Sequence, residues 1–263
     1  MRARARAWNP LAVDQSAASG SSYYGLRGGI LAPCLDGASA PGGTALSVHE
    51  ELRRTILRSD FPCLGARASF HRNLYRFGVY SEIGSAVSAR SVCHDLYEFA
   101  HELQDPNAEF ATFLAVFLGP RIRSESQFEQ QLWAHLQLMH GIDAEFFAWD
   151  EEVSSDPENP WFSFSIGGHA YYIVGLHHRA SRRARRFPYP TLVFNLHSQF
   201  ALLREHDKLE SFKKTIRTRD VALQGSVNPT LIDSASGSQA RQYSGRAVER
   251  DWLCPFQPTE PSA

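Results

Sequence analysis

The densest chemistry in the chain lies in Gly175-Leu-His-His-Arg-Ala-Ser-Arg-Arg-Ala-Arg-Arg186, where two histidines precede five arginines within ten residues. Guanidinium forks pair with carboxylates and phosphates in bidentate geometry, so this segment can act as an anion site. A solvated basic loop has the same composition, and the sequence leaves both readings open. A second feature is Phe194-Asn-Leu-His-Ser-Gln-Phe200, which puts His197 at a junction between strand and helix. A neutral imidazole there can ligate a metal while its other nitrogen is fixed by a carbonyl or carboxylate, or it can serve only as a cap. His140 closes an amphipathic helix and is read either as an inward-facing ligand or as a helix-end cation. Cys63, in Phe61-Pro-Cys63, is either a thiolate ligand or a buried structural thiol.

Other chemistries lack their signatures. No GxSxG, P-loop, GxGxxG or His-Glu-x-x-His pattern is present, which disfavours serine hydrolases, P-loop NTPases, dinucleotide enzymes and zincins. The four cysteines, Cys34, Cys63, Cys93 and Cys254, form no CxxC pair and are expected to be reduced thiols. Lysine and arginine total 27 against 28 acidic residues, so no general attraction to nucleic acid or membrane is expected. The longest apolar run, Phe110 to Leu118, is of strand length, well short of the roughly 20 residues that span a bilayer. A soluble, cytoplasmic protein is expected.

These residues need a scaffold, and the patterning supplies one. Residues 1–46, rich in Gly, Ser, Ala and Pro, read as a flexible N-terminal arm. A domain is expected over 47–256, with 257–263 as a tail. Ser47-Val-His-Glu50 has capping-box spacing before a helix that ends ahead of Pro62. Alternation over Leu74–Ile83 predicts a strand, the 3.6-residue spacing of Val92, Leu96, Phe99 and Leu103 a helix, and Phe110–Leu118 a strand buried on both faces. Phe128, Leu132, Leu136 and Met139 mark the next helix. Trp161–Ile166 and Ala170–Leu176 flank Gly167-Gly168 as a hairpin, and Thr191–Asn195 is a further strand. His197–Arg219 predicts one or two helices, with a break near His206-Asp207. Leu223–Phe256 reads as a long loop that Tyr243, Trp252 and Phe256 pin to the domain. The expected fold is α/β (α+β), a single domain on a mixed sheet of about five strands flanked by helices.

Several of these segments together resemble the YqcI/YcgG-type proteins. The resemblance is carried by Phe61-Pro-Cys63, Trp161-Phe-Ser-Phe-Ser-Ile-Gly-Gly168, Gly175-Leu-His177 with Ser181-Arg182 and Ala184-Arg-Arg-Phe187, Phe194-Asn195 with His197, Gln199 and Phe200, and Gln242-Tyr-Ser-Gly-Arg246 with Cys254-Pro-Phe256. It spans roughly residues 47–256. Around Asp233–Ala240, where relatives tend to carry acids, this chain has Ser236 and Gln239. Characterised members are heme-dependent N-hydroxylases of guanidino compounds, and the likeness is greatest to arginine hydroxylases of D-cycloserine-type antibiotic biosynthesis.

That resemblance implies a monooxygenase or peroxygenase holding heme b without thioether links, acting on L-arginine with an unidentified electron donor or peroxide; a homodimer is compatible with it. The candidate iron ligands it implies are His197, then His177, then His140, and the candidate propionate partners are Arg182, Arg185 and Arg186. A buried guanidinium substrate needs a carboxylate, for which Glu158, Asp156 and Asp150, just ahead of the hairpin, are the candidates. The alternative from another class is a heme sensor or carrier that turns nothing over.

Overall fold

A computed structural model of the chain describes residues 8–102, 110–199, 209–228 and 237–259. Seven strands form one mixed sheet: β1 (Tyr24–Arg27), β2 (Ile30–Pro33), β3 (Tyr75–Glu82), β4 (Thr112–Gly119), β5 (Phe164–Ile166), β6 (His169–Leu176) and β7 (Thr191–Leu196), in the order β2-β1-β3-β4-β7-β6-β5. The helices are α1 (Gln15–Gly20), α2 (Gly43–Ile56), α3 (Leu64–His71), α4 (Ala86–Glu102), α5 (Glu125–Asp143), α6 (Leu209–Gln224) and α7 (Ala240–Tyr243). The α/β class holds. β3 and β4 pair in parallel around the α4 crossover, and every other pairing is antiparallel.

The central strand β4 is buried from Thr112 to Phe117, with helices covering both faces of the sheet. Phe113, Phe117, Phe194 and Ile173 face a core that includes Phe99 of α4 and Leu132 of α5, whereas Leu114, Val116 and Leu176 face Leu52 and Ile56 of α2 and Phe70 of α3. The period-2 alternation of β4, β6 and β7 thus divides the molecule into two compartments. Gly167 and Gly168, with φ of 64° and 72°, make the β5–β6 turn in a conformation that costs glycine little.

The sheet has two more strands than expected, and both come from the stretch read as a flexible arm. Residues 24–33 form the β1–β2 hairpin, which pairs with β3 through Tyr24 and Phe77. Leu11, Ala17 and Tyr23 are buried. Polar contacts to α4 hold this segment together with these core side chains. Asp14 caps α1 and pairs with Arg90 at 2.6 Å, while Asp95 accepts from Ser21 Oγ at 2.5 Å and from the Ser22 amide at 2.8 Å. A segment anchored this way shows no apolar period, and so its composition imitates a linker. The helix expected after Ser47 is α2, which starts at Gly43, and its N-cap, Gly42, makes no side-chain cap bond. The expected break near His206-Asp207 lies outside the described residues. Tyr243 and Phe256 are buried, as the pinned C-terminal loop requires, and within the expected tail Gln257 bonds Gln137 at 2.9 Å and Thr259 bonds His140.

Candidate functional site

The α2 side of the sheet encloses a cavity of about 360 Å³, within the range of small-molecule and cofactor sites. Its floor is the sheet itself. Register brings Thr112, Asn195 and Tyr172 into one row across β4, β7 and β6, and Leu114, Val193 and Val174 into the next. The polar row is internally satisfied: Thr112 donates to the Phe194 carbonyl, Asn195 to the Tyr172 carbonyl, and the Tyr172 hydroxyl to Gln242 Oε1 at 2.8 Å. The remaining walls come from Leu52 and Ile56 of α2, the Phe61–Cys63 loop with α3, Phe212 and Ile216 of α6, and the Arg182–Phe187 turn. Phe110 stacks on Phe212 at 5.6 Å, and a side chain at Gly65 would meet both rings, so glycine there lets α3 close on them.

The walls are apolar but cationic: Arg182, Arg185, Arg186, Lys213 and Arg217 line the cavity against one carboxylate among the described residues, Asp220. Arg185 is buried, and no carboxylate among the described residues pairs with it. Its guanidinium donates to the carbonyls of Gly175, Tyr243 and Gln242 at 3.1 to 3.2 Å, and burial pushes its pKa below the usual arginine range. Arg182 is held by Asp220 and Ser226, while its Nε has no partner among the described residues. A positively charged wall with donor capacity left over suits an anionic group.

His197 lines this cavity from the turn that follows β7, two residues beyond Asn195. Cys63 also lines it, capping α3 through the Ala66 amide at 3.4 Å. Burial pushes the Cys63 thiol up, against the opposing pull of the Ala66 and Gly65 amides and of Arg185, so the thiolate is disfavoured. The structure therefore brings together His197, Arg182, Arg185 and Arg186.

It does not bring the other candidates to the cavity. His177 is 1% exposed and stacks on Phe128 at 4.3 Å; burial takes its pKa down to about 4. His140 lies in the other compartment, edge-on to Trp149 and Phe256, and its Nε2 is bonded by Thr259. The three proposed acids brace loops. Asp150 accepts from the Ala170 amide at 2.7 Å, Asp156 from the Glu158 amide at 3.0 Å, and Glu158 from the Cys254 amide at 3.0 Å.

Asp220 escaped the reading of the sequence because a single acid on the polar helix α6 carries no local signal. The Thr112–Asn195–Tyr172 row escaped it because only register creates the row. In the divergent loop, Ser236 lies outside the described residues, whereas Gln239 lines the cavity with an amide oxygen that has no partner among the described residues. No group of three or more potential metal-ligating His, Cys, Asp or Glu side chains occurs among the described residues. No described helix is long and apolar enough to cross a membrane.

The chain is 25% identical over 207 residues to the uncharacterized protein YcgG of Bacillus subtilis (strain 168), an alignment covering 74% of this chain and 80% of the relative. No solved structure matches. The YqcI/YcgG family model matches residues 52–257, which include every wall of the cavity, and the chain belongs to that family.

Proposed function

We propose that the chain is a heme-dependent N-hydroxylase of a guanidino compound, converting L-arginine to N-omega-hydroxy-L-arginine. The observation that carries this reading is that His197, Arg182 and Arg185, which the sequence singles out separately, line one apolar cavity. The residues fit heme b. Leu114, Val174, Val193, Leu52 and Ile56 suit an apolar macrocycle, His197 offers an imidazole for the iron, and Arg182 and Arg185 offer charge for propionates. Heme bound there would supply the oxidising power that a delocalised, poorly nucleophilic guanidinium demands.

The chain's own part is binding and positioning. Asp220 replaces the three loop acids as the carboxylate nearest to hand for a guanidinium, and it already accepts one from Arg182. Both described bonds to Asp220 fall on Oδ2. With molecular oxygen the reaction consumes two electrons and two protons and releases water; with peroxide the oxidant brings them. The test is the absorption spectrum of the purified protein with hemin, followed by assay for hydroxyarginine with oxygen and a reductant or with peroxide. A Soret band lost in His197→Ala but kept in His177→Ala and His140→Ala supports the assignment. Heme retained by all three variants defeats His197 as the ligand, and heme binding without product under either oxidant leaves a carrier.

A further inference from the structure

Beside the main cavity lies a polar cleft of about 300 Å³, and α2 serves both. Leu52 and Ile56 line the apolar cavity, whereas Glu51 and Thr55, at i and i+4 on α2, and Arg58, just past its C-terminus, line the cleft. The opposite wall is Arg183, Arg186 and Pro188. Thr55, Phe61 and Arg186 border both spaces, so a ligand can lie across them with its ends in different surroundings.

The cleft carries both signs of charge, and they are not all spent on each other. Arg58 and Asp60 close on one another in a two-pronged pair at 2.9 and 2.6 Å. Arg183 donates to the Leu223 carbonyl and Arg186 to that of Ala180, and neither has a carboxylate partner among the described residues. Glu51 meets the more exposed Arg54 at 2.5 Å, one turn along α2, in a surface pair that exchanges readily. Two guanidinium groups that have no carboxylate partner among the described residues, set opposite a displaceable carboxylate, complement a zwitterion. A phosphate would be attracted by the arginines but repelled by Glu51 and Asp60.

We propose that this cleft reads the head group of a free α-amino acid, Arg183 and Arg186 taking its carboxylate and Glu51 its ammonium, while the side chain passes Phe61 into the cavity. The inference rests on the proposed function for the guanidino end of the substrate. It makes Arg183, Arg186 and Glu51 specificity-determining residues.

Calorimetric titration of the purified full chain tests it with L-arginine, agmatine (no carboxylate) and the des-amino analogue (no ammonium). L-arginine is expected to bind at least tenfold more tightly than either analogue. Arg183→Gln/Arg186→Gln is expected to remove the preference over agmatine only, and Glu51→Gln the preference over the des-amino analogue only. These side chains are surface-accessible, and circular dichroism verifies that each variant is folded. Equal affinity for L-arginine and agmatine, or no binding of L-arginine, overturns the subsite. So does loss of heme in the arginine variants with an unchanged preference, because Arg186 would then serve a propionate. Absence of a Soret band in every preparation defeats the heme reading instead, while the ratio of ligand affinities still decides the cleft.

Discussion

Arg182 and Asp220 meet in the cavity wall, Nη2 to Oδ2 at 2.5 Å, with side chains only 8% and 6% exposed. The same oxygen accepts the Asn228 amide at 2.9 Å, and Arg182 also donates to the hydroxyl and carbonyl of Ser226. The pair therefore ties α6 and the segment after it to the turn that carries Arg185. Two desolvated charges of this kind are tolerated because each is hydrogen-bonded, and removing one leaves the other stranded. Asp220→Asn is expected to cost about 3–5 kcal/mol, read from the urea midpoint at unchanged slope. The double variant Arg182→Met/Asp220→Leu, which strands no charge, is expected to lose less than the single one. Equal losses would show that the pair does not act as a unit.

Gly175 sits where β6, α5 and the C-terminal segment converge. A Cβ there would lie 2.5 Å from Cε1 of Phe128 and 2.9 Å from the Tyr243 carbonyl oxygen. A ring edge can shift, but that carbonyl is fixed by Arg185 at 3.2 Å. Gly175→Ala is thus expected to destabilise by about 1–3 kcal/mol through overpacking, seen as a lower calorimetric Tm. A Tm at or above that of the parent would mean that α5 yields freely.

The scaffold was legible in the sequence where burial imposes a period. The apolar run of β4, the alternation of β3 and the glycine pair between β5 and β6 each state their geometry locally. The β1–β2 hairpin was not legible, because the segment leading into it is tied down by single polar residues, Asp14, Ser21 and Ser22, whose partners Arg90 and Asp95 lie about 75 residues away. The site divides in the same way. His197 and the arginine cluster stand out by type and spacing, and the sheet brings them together. His140 has the same chemistry but rides on α5, and only tertiary packing decides that α5 covers the opposite face. The loop acids Asp150, Asp156 and Glu158 are near the hairpin in sequence, yet each is spent on a backbone amide.

Asp143 gives the fold a pH dependence of unusual sign. Burial lifts its carboxyl to about 7, against bonds donated by the Gly167 amide at 2.8 Å and the Tyr97 hydroxyl at 2.9 Å. A folded-state pKa above the ordinary 3.8 means that folding favours the neutral acid. Its contribution is therefore fully present below the unfolded value and is lost as pH rises through about 7. His49, His135 and His177 act in the opposite direction: burial lowers them to about 4, 3 and 4, so they destabilise the fold as pH falls below 6.5. Asp143→Asn isolates the first effect. Relative to the parent, the variant is expected to gain about 1–3 kcal/mol between pH 5 and pH 8, at about 1.4 kcal/mol per pKa unit. Urea denaturation at the two pH values measures this difference, and a constant offset would rule out titration of Asp143 in that interval.

Glu129 of α5 controls how the C-terminal segment reaches the cavity. Its carboxylate accepts from Ser244 Oγ at 3.1 Å, from Arg246 at 2.9 and 3.1 Å, and from the Trp252 indole at 3.1 Å. The segment it holds includes the Gln242 and Tyr243 carbonyls that satisfy the Arg185 guanidinium. Glu129→Gln keeps the shape but removes the charge and half of the acceptor capacity, so Arg246 and Trp252 must compete for one oxygen. The expected results are a red shift in tryptophan emission, faster proteolysis between Ser244 and Cys254, and a stability loss of about 1–3 kcal/mol. If Arg185 serves a bound anion, affinity for hemin should fall in step although Glu129 does not line the cavity. Unchanged hemin affinity alongside a loosened segment would remove Arg185 from the anion site.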